Sequence, residues 1–184
     1  MIEIRGLETI TFDSSVRYRI LEEIGRGGMG VVYLAERSCK GVSDLVVLKT
    51  IRSLSREEED HLRSEANIAT GLRHENIVKT YGLEALPFHI LPPDLVARVG
   101  APSSTRRVDD PRDLLLIVMD YVEGVSLHRL LTDHIHRGYL LPVPLGAFVI
   151  ARVCRALAYA HTWIIHRDIS PDNVLINRHG VCKL

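Results

Sequence analysis

The stretch "YRILEEIGRGGMGVVYLAER", residues 18–37, decides the fold. It sets Gly25, Gly27 and Gly30 at G-x-G-x-x-G spacing between two apolar segments. Glycine has no Cβ, so backbone amides in such a turn can close on phosphate oxygens. The spacing alone is ambiguous, because a glycine-rich hairpin satisfies it as well. The segment after the glycines narrows the choice. A dinucleotide-binding unit needs a helix directly after them, and "VVYLAE" has the β-branched and aromatic composition of a strand. A Walker loop needs Gly-Lys followed by Ser or Thr, and the sequence has no such tripeptide. What remains is a loop that joins two antiparallel strands and lies over a nucleotide as a flap.

Outward from this hairpin the apolar period changes along the chain. "DLVVLKTI" (44–51) reads as a third strand. Its period of two puts Val47 and Lys49 on one face, where Val47 can pack on a base and Lys49 can reach phosphate. "SREEEDHLRSEANIATGL" (55–72) then sets Leu62, Ala66, Ala69 and Leu72 at helical spacing. Ser55 and Glu58 form a capping box, and the acidic run falls in the first turn, where the helix dipole favours it. Glu65 lies one turn from Leu62 and one from Ala69, on or beside the apolar face, where a carboxylate calls for a cation. "IVKTYGLEAL" (77–86) and "LLLIVMDYV" (114–122) are further strands. Between them residues 85–112, rich in Pro, Ser and charge, read as a flexible insertion. "SLHRLLTDHI" (126–135) and "PLGAFVIARVCRALAYAHT" (144–162) read as helices. The expected fold class is α+β: an N-terminal extension (1–17) with one loosely alternating candidate strand, a sheet-rich lobe (18–122) and a helical lobe (123–184).

Composition limits the function classes. Lys plus Arg and Asp plus Glu number 23 each, so no global field favours nucleic acid, and none is expected as partner. The three cysteines (Cys39, Cys154, Cys182) lie far apart without CxxC spacing, and no secretory signal opens the chain. Free thiols in a reducing, cytoplasmic compartment are expected. A membrane helix needs about 20 apolar residues, and Arg152 and Arg155 interrupt the longest candidate. No span is expected in this chain.

"IGRGGMGVVYLAE" resembles the glycine-rich loop of eukaryotic-like (Hanks-type) serine/threonine protein kinases of the bacterial branch, and "HRDISPDN" (166–173) resembles the family's H-R-D-x-x-x-x-N catalytic loop. The resemblance implies a bilobal kinase fold with a five-stranded antiparallel N-lobe sheet, one helix and a helical C-lobe. It implies that Lys49 pairs with Glu65 and that Asp168 accepts the proton of a substrate hydroxyl. Asn173, a hard neutral oxygen donor, would hold Mg²⁺. ATP would sit under Gly25, Gly27 and Gly30, between Val32 and Val47 above and Leu175 below. Met119 matches the gatekeeper position, and Asp120 and Val122 match hinge positions whose main chain would bind adenine. The Pro-Asp-Asn ending of the loop resembles the serine/threonine branch, so the implied reaction is transfer of the ATP γ-phosphate to Ser/Thr of a protein substrate.

Three departures qualify the resemblance. Ser170 stands where that branch carries Lys, which removes a positive charge from the transferred group. "HTWIIHRD" is one residue shorter than the family's usual run and lacks its Gly. "GVCKL" (180–184) would lead to Asp-Phe-Gly, a motif this sequence does not contain. The 184 residues are therefore expected to be a truncated domain, inactive alone, with apolar surface left exposed on the long helix. The alternative is a degenerate, pseudokinase-like module that binds nucleotide or a partner.

Overall fold

The computed structural model describes residues 10–27, 30–51, 55–99 and 113–184. These form two compact units, residues 1–67 with 80–121 and residues 68–79 with 122–184. The first is built on an antiparallel sheet of β1 (Thr11–Asp13), β2 (Arg17–Gly27), β3 (Gly30–Cys39), β4 (Val42–Ile51), β5 (Thr80–Leu86) and β6 (Leu114–Asp120), in the order β1-β2-β3-β4-β6-β5. The sheet has six strands where five were expected. The sixth is β1, which falls within the expected extension. Ser14 N–H donates to Val16 C=O at 2.9 Å and reverses the chain, so Phe12 pairs with Tyr18 and their rings lie 5.3 Å apart. At the β3–β4 turn, Lys40 (φ 50°) and Gly41 (φ 81°) lie between the paired residues Cys39 and Val42. Positive φ at both turn residues matches the right-handed twist of the flanking strands.

The two faces of this sheet differ. Along β4, Val46, Leu48 and Thr50 are buried, and Val47 and Lys49 are half-buried. The buried face joins Val31, Tyr33, Ala35, Leu116 and Val118 in one core. Residues 87–99 cover part of it. After a short 3-10 turn at Phe88–Ile90, Leu91 enters that core, and a helix at Pro93–Val99 adds Leu95 and Val99. Within the region read as a flexible insertion, Phe88–Ile90 and Pro93–Val99 thus carry regular structure. Three apolar residues four apart make one helical face, and burying that face outweighs the Pro-rich composition. Residues 100–112 of that reading lie outside the described residues. The helix at Arg56–Gly71, α1, precedes this one, α2. Ser55 Oγ accepts from Glu58 N–H at 3.2 Å and Glu58 accepts from Ser55 N–H at 2.7 Å, which is the expected capping box.

The second unit holds β7 (Gly124–Ser126), β8 (Leu175–Asn177) and β9 (Cys182–Lys183) in a three-stranded sheet, with α3 (Leu127–His136) and α4 (Val143–Ala160). Ser126 caps α3 by accepting from Arg129 N–H at 3.2 Å. Val149 and Val153 of α4 pack with Val174 and Cys182. The segment after α1 is stitched to β9: Val78 N–H donates to Leu184 C=O at 2.8 Å, and Asn76 Nδ2 donates to Cys182 C=O at 2.9 Å. Ala156 and Ala160 of α4 are buried as well, while Val143, Leu145, Phe148 and Ile150 are exposed, as expected. By length and composition alone, Val143–Ala160 is apolar enough to cross a membrane, at mean hydropathy 1.5. The sequence reading discounts it because of Arg152 and Arg155. Arg152 pairs with Glu75 at 3.2 Å and lies over the Phe148 ring.

Candidate active site

In an antiparallel ladder, residues directly opposite share a face. Val32 opposes Lys49, which opposes Ile117, and Val47 opposes Met119. Val32, Val47, Lys49 and Met119 thus line one half-buried face of the first unit. Gly25 opposes Val32, and Gly27 opposes Gly30 at the end of the hairpin. The expected glycines therefore sit at the end of the same face.

Gly30 has φ +146°, and a Cβ there would collide with the Thr50 carbonyl oxygen. Thr50 is buried; its hydroxyl accepts from Val31 N–H at 2.7 Å and donates to Val31 C=O at 3.0 Å. Thr50 thus anchors the strand leaving the loop, a role the sequence reading did not assign. The signal was there, a polar residue at an inward position of an otherwise apolar strand.

Glu65 is half-buried on α1 and has interactions of its own. Among the described residues no ion pair joins it to Lys49. At the end of β6, Asp120 is held by a side-chain network. Tyr81, at a ladder irregularity between Thr80 and Gly82, donates to Asp120 Oδ1 at 2.5 Å. Arg37 lies 3.8 Å over the Tyr81 ring and bonds Asp44 through Nε and Nη2 at 3.1 and 2.6 Å. Burial, then the hydrogen bond to Asp120, pushes the Tyr81 hydroxyl up to about 12. Residues 121–123, with Val122 half-buried, belong to no helix or strand.

In the second unit, residues 164–170 have no regular structure. Arg167 has φ 60°, the left-handed region that non-glycine residues rarely occupy. Asp168 beside it is exposed. Asn173 N–H donates to Ser170 C=O at 3.1 Å, closing a turn with Pro171 at its second position, where a fixed φ suits the geometry. The turn brings the Asn173 side chain back to Asp168: Nδ2 donates to the Asp168 carbonyl and to Oδ2, each at 2.9 Å. Both partners are acceptors, so the amide's NH₂ must face them. The Oδ1 of Asn173 then points away from Asp168 as a hard neutral oxygen, the kind of donor a divalent cation takes. No cluster of three or more His, Cys, Asp or Glu that could hold a metal ion occurs among the described residues. His166 is half-buried with Nδ1 unpartnered, and burial holds its pKa down. It fits a packing residue. Leu175 is half-buried on β8, opposite Ser126 and Lys183. Of the expected site residues, the glycines, Val32, Val47, Lys49, Glu65, Met119 and Asp120 thus belong to the first unit, and Val122, Asp168, Asn173 and Leu175 to the second.

Residues 18–184 match the protein kinase domain family. The chain is 33% identical over 174 residues to the serine/threonine-protein kinase PrkC of Bacillus subtilis (strain 168), covering 92% of this chain and 22% of that one. It is 31% identical over 174 residues to the serine/threonine-protein kinase PknB of Mycolicibacterium smegmatis, covering 92% and 24%. It therefore spans less than a quarter of the length of these curated relatives. The solved kinase domain of PknI from Mycobacterium tuberculosis shares the fold at a TM-score of 0.68 and 23% identity, covering 91% of this chain and 57% of that one. Protein kinases as a family use ATP with Mg²⁺. By sequence match and by fold, this chain belongs to the protein kinase family.

Proposed function

We propose that the protein carrying this chain is a serine/threonine protein kinase that transfers the γ-phosphate of ATP to Ser or Thr hydroxyls of protein substrates. The observation that carries this reading is the Asp168–Asn173 pair, where one amide donates to both the main-chain carbonyl and the carboxylate of Asp168. Asp168 orients the substrate hydroxyl and takes its proton as the oxygen attacks. Asn173 Oδ1 would hold a magnesium ion, which would offset charge on the phosphates. In the first unit, Val32, Val47 and Met119 offer an apolar face to adenine, with the main chain of Asp120 as a further contact. Lys49 supplies charge to the phosphates. The three free cysteines agree with a cytoplasmic protein.

In the natural full-length gene product, Asp168→Asn should lower kcat by roughly 10²–10⁴-fold with ATP affinity little changed. Unaltered kcat would refute the assignment. A second reading, a nucleotide-binding module without transfer activity, draws on Ser170 in place of Lys. ATP binding without any phosphoryl transfer by the full-length product would favour it.

A further inference from the structure

Arg26 stands inside the glycine-rich hairpin, between Gly25 and Gly27, and the kinase reading gives it no role. In the ladder it opposes Val31, which is fully buried, while its neighbour Gly25 opposes Val32 on the Lys49 face. The Arg26 side chain therefore leaves the sheet on the side away from Lys49. There its guanidinium makes three directed bonds. Nε and Nη2 donate to the two carboxylate oxygens of Glu23 at 2.8 and 2.7 Å. Nη1 donates to the main-chain carbonyl of Arg98 at 3.1 Å. Arg98 lies in the last turn of α2, where carbonyls have no partner within the helix. Leu95 and Val99 of that helix are buried in the same core as Val31 and Tyr33, the strand residues behind the loop. Glu23 in turn opposes Tyr33. The entering strand of the hairpin is thus fastened from behind to α2, as the leaving strand is fastened to Thr50.

We propose that Arg26 is a positioning residue: it fastens the end of β2 at Gly25 and Gly27 to the C-terminal end of α2, so that the 87–99 segment sets where these glycines stand against the phosphates of a bound nucleotide. The Arg26–Glu23 pair is partly exposed, with side chains 45% and 31% accessible. Such pairs add little to global stability. Its effect is then local, on the loop. A fork of three donors at fixed angles is also a task that lysine cannot perform.

This proposal rests on the nucleotide-binding reading, and the test separates the two. Calorimetric titration with ATP and, separately, with adenosine compares the purified wild-type chain with Arg26→Ala, Arg26→Lys and Val99→Ala, with Tm measured for each. Adenosine has no phosphate and does not feel the loop. Loss of these hydrogen bonds should weaken ATP binding about 3–10-fold in both Arg26 variants, with adenosine affinity unchanged and Tm within about 2 °C. Val99→Ala, which loosens α2, should weaken ATP binding in the wild-type background and add nothing to Arg26→Ala. An unchanged ATP-to-adenosine ratio in Arg26→Ala overturns the proposal, as does full ATP affinity in Arg26→Lys, which would mark a direct charge effect. Additive effects of Val99→Ala and Arg26→Ala overturn the link through α2. Failure of the wild-type chain to bind either ligand overturns the nucleotide reading itself, and the proposal with it.

Discussion

The sheet of the first unit and the helix α4 of the second handle apolar surface in opposite ways. The sheet buries one face against the 87–99 segment and leaves Val32, Val47, Lys49 and Met119 on the other half-buried. Helix α4 buries Val149, Val153, Ala156 and Ala160 along one stripe and leaves Val143, Leu145, Phe148 and Ile150 exposed. In the first unit, packing and the proposed ligand contact fall on two faces of the same strands, one residue apart in sequence. In the second unit, the residues assigned to chemistry sit on an exposed loop held by turn and side-chain hydrogen bonds. Substitutions on the covered face of the sheet should therefore cost stability, and those in the loop should cost chemistry.

The largest effect tests whether the 87–99 segment is part of the core. Leu95 is 1% exposed, so Leu95→Ala should destabilise the chain by about 2–5 kcal/mol in denaturant titration. A loss below about 0.5 kcal/mol, typical of a surface site, would place α2 outside the core and erase the contrast between the faces. Next comes Gly30→Ala, which combines an unfavourable φ with a collision against the Thr50 carbonyl. It should cost about 1–3 kcal/mol. Gly27→Ala meets nothing within 4 Å and should cost less in the same assay.

Tyr81→Phe removes one hydrogen bond to Asp120 and should cost about 1 kcal/mol. Its pH dependence sharpens the point. The hydroxyl ionises at about 12 when folded, against 10.0 for an unperturbed tyrosine. The unfolded chain therefore loses this proton first as pH rises. The stability it contributes is complete below about 10 and is lost between there and about 12. Tyr81→Phe should flatten that alkaline decline without abolishing it, since Tyr18, donating to Glu84 at 2.6 Å, is shifted upward as well. An identical alkaline slope in the variant would contradict the network. The smallest stability effect belongs to the loop: Ser170→Lys should move stability by less than about 0.5 kcal/mol. The same change should raise phosphoryl transfer in the full-length product. A rate without gain would show that the missing charge is compensated elsewhere.

The features legible in the sequence were those written in local pattern. Alternation marked β4 and its two faces, Ser55 and Glu58 marked the start of α1, and the glycine spacing marked the hairpin. Features that depend on distant partners were harder to read. Leu91, Leu95 and Val99 follow helical spacing, but three prolines at 87–93 masked it, and only the core behind Val31 and Tyr33 shows why the segment orders. Thr11–Asp13 is too short to declare itself a strand without Arg17–Arg19 beside it. In the site, residue types and spacing named Asp168 and Asn173. That one amide ties them together is a consequence of the Ser170–Asn173 turn and the left-handed Arg167, neither of which has a reliable signature in a single sequence.

The most direct test of the central claim, that one face of this sheet packs and the other binds nucleotide, is the ATP affinity of Lys49→Met measured beside its Tm. Lys49 lies between Leu48 and Thr50, both buried, yet points to the opposite face. The expected result is an ATP affinity lower by roughly 10–100-fold, the worth of a charge-assisted contact, with Tm essentially unchanged. An unchanged ATP affinity, or a loss that appears only because the chain unfolds, would contradict it.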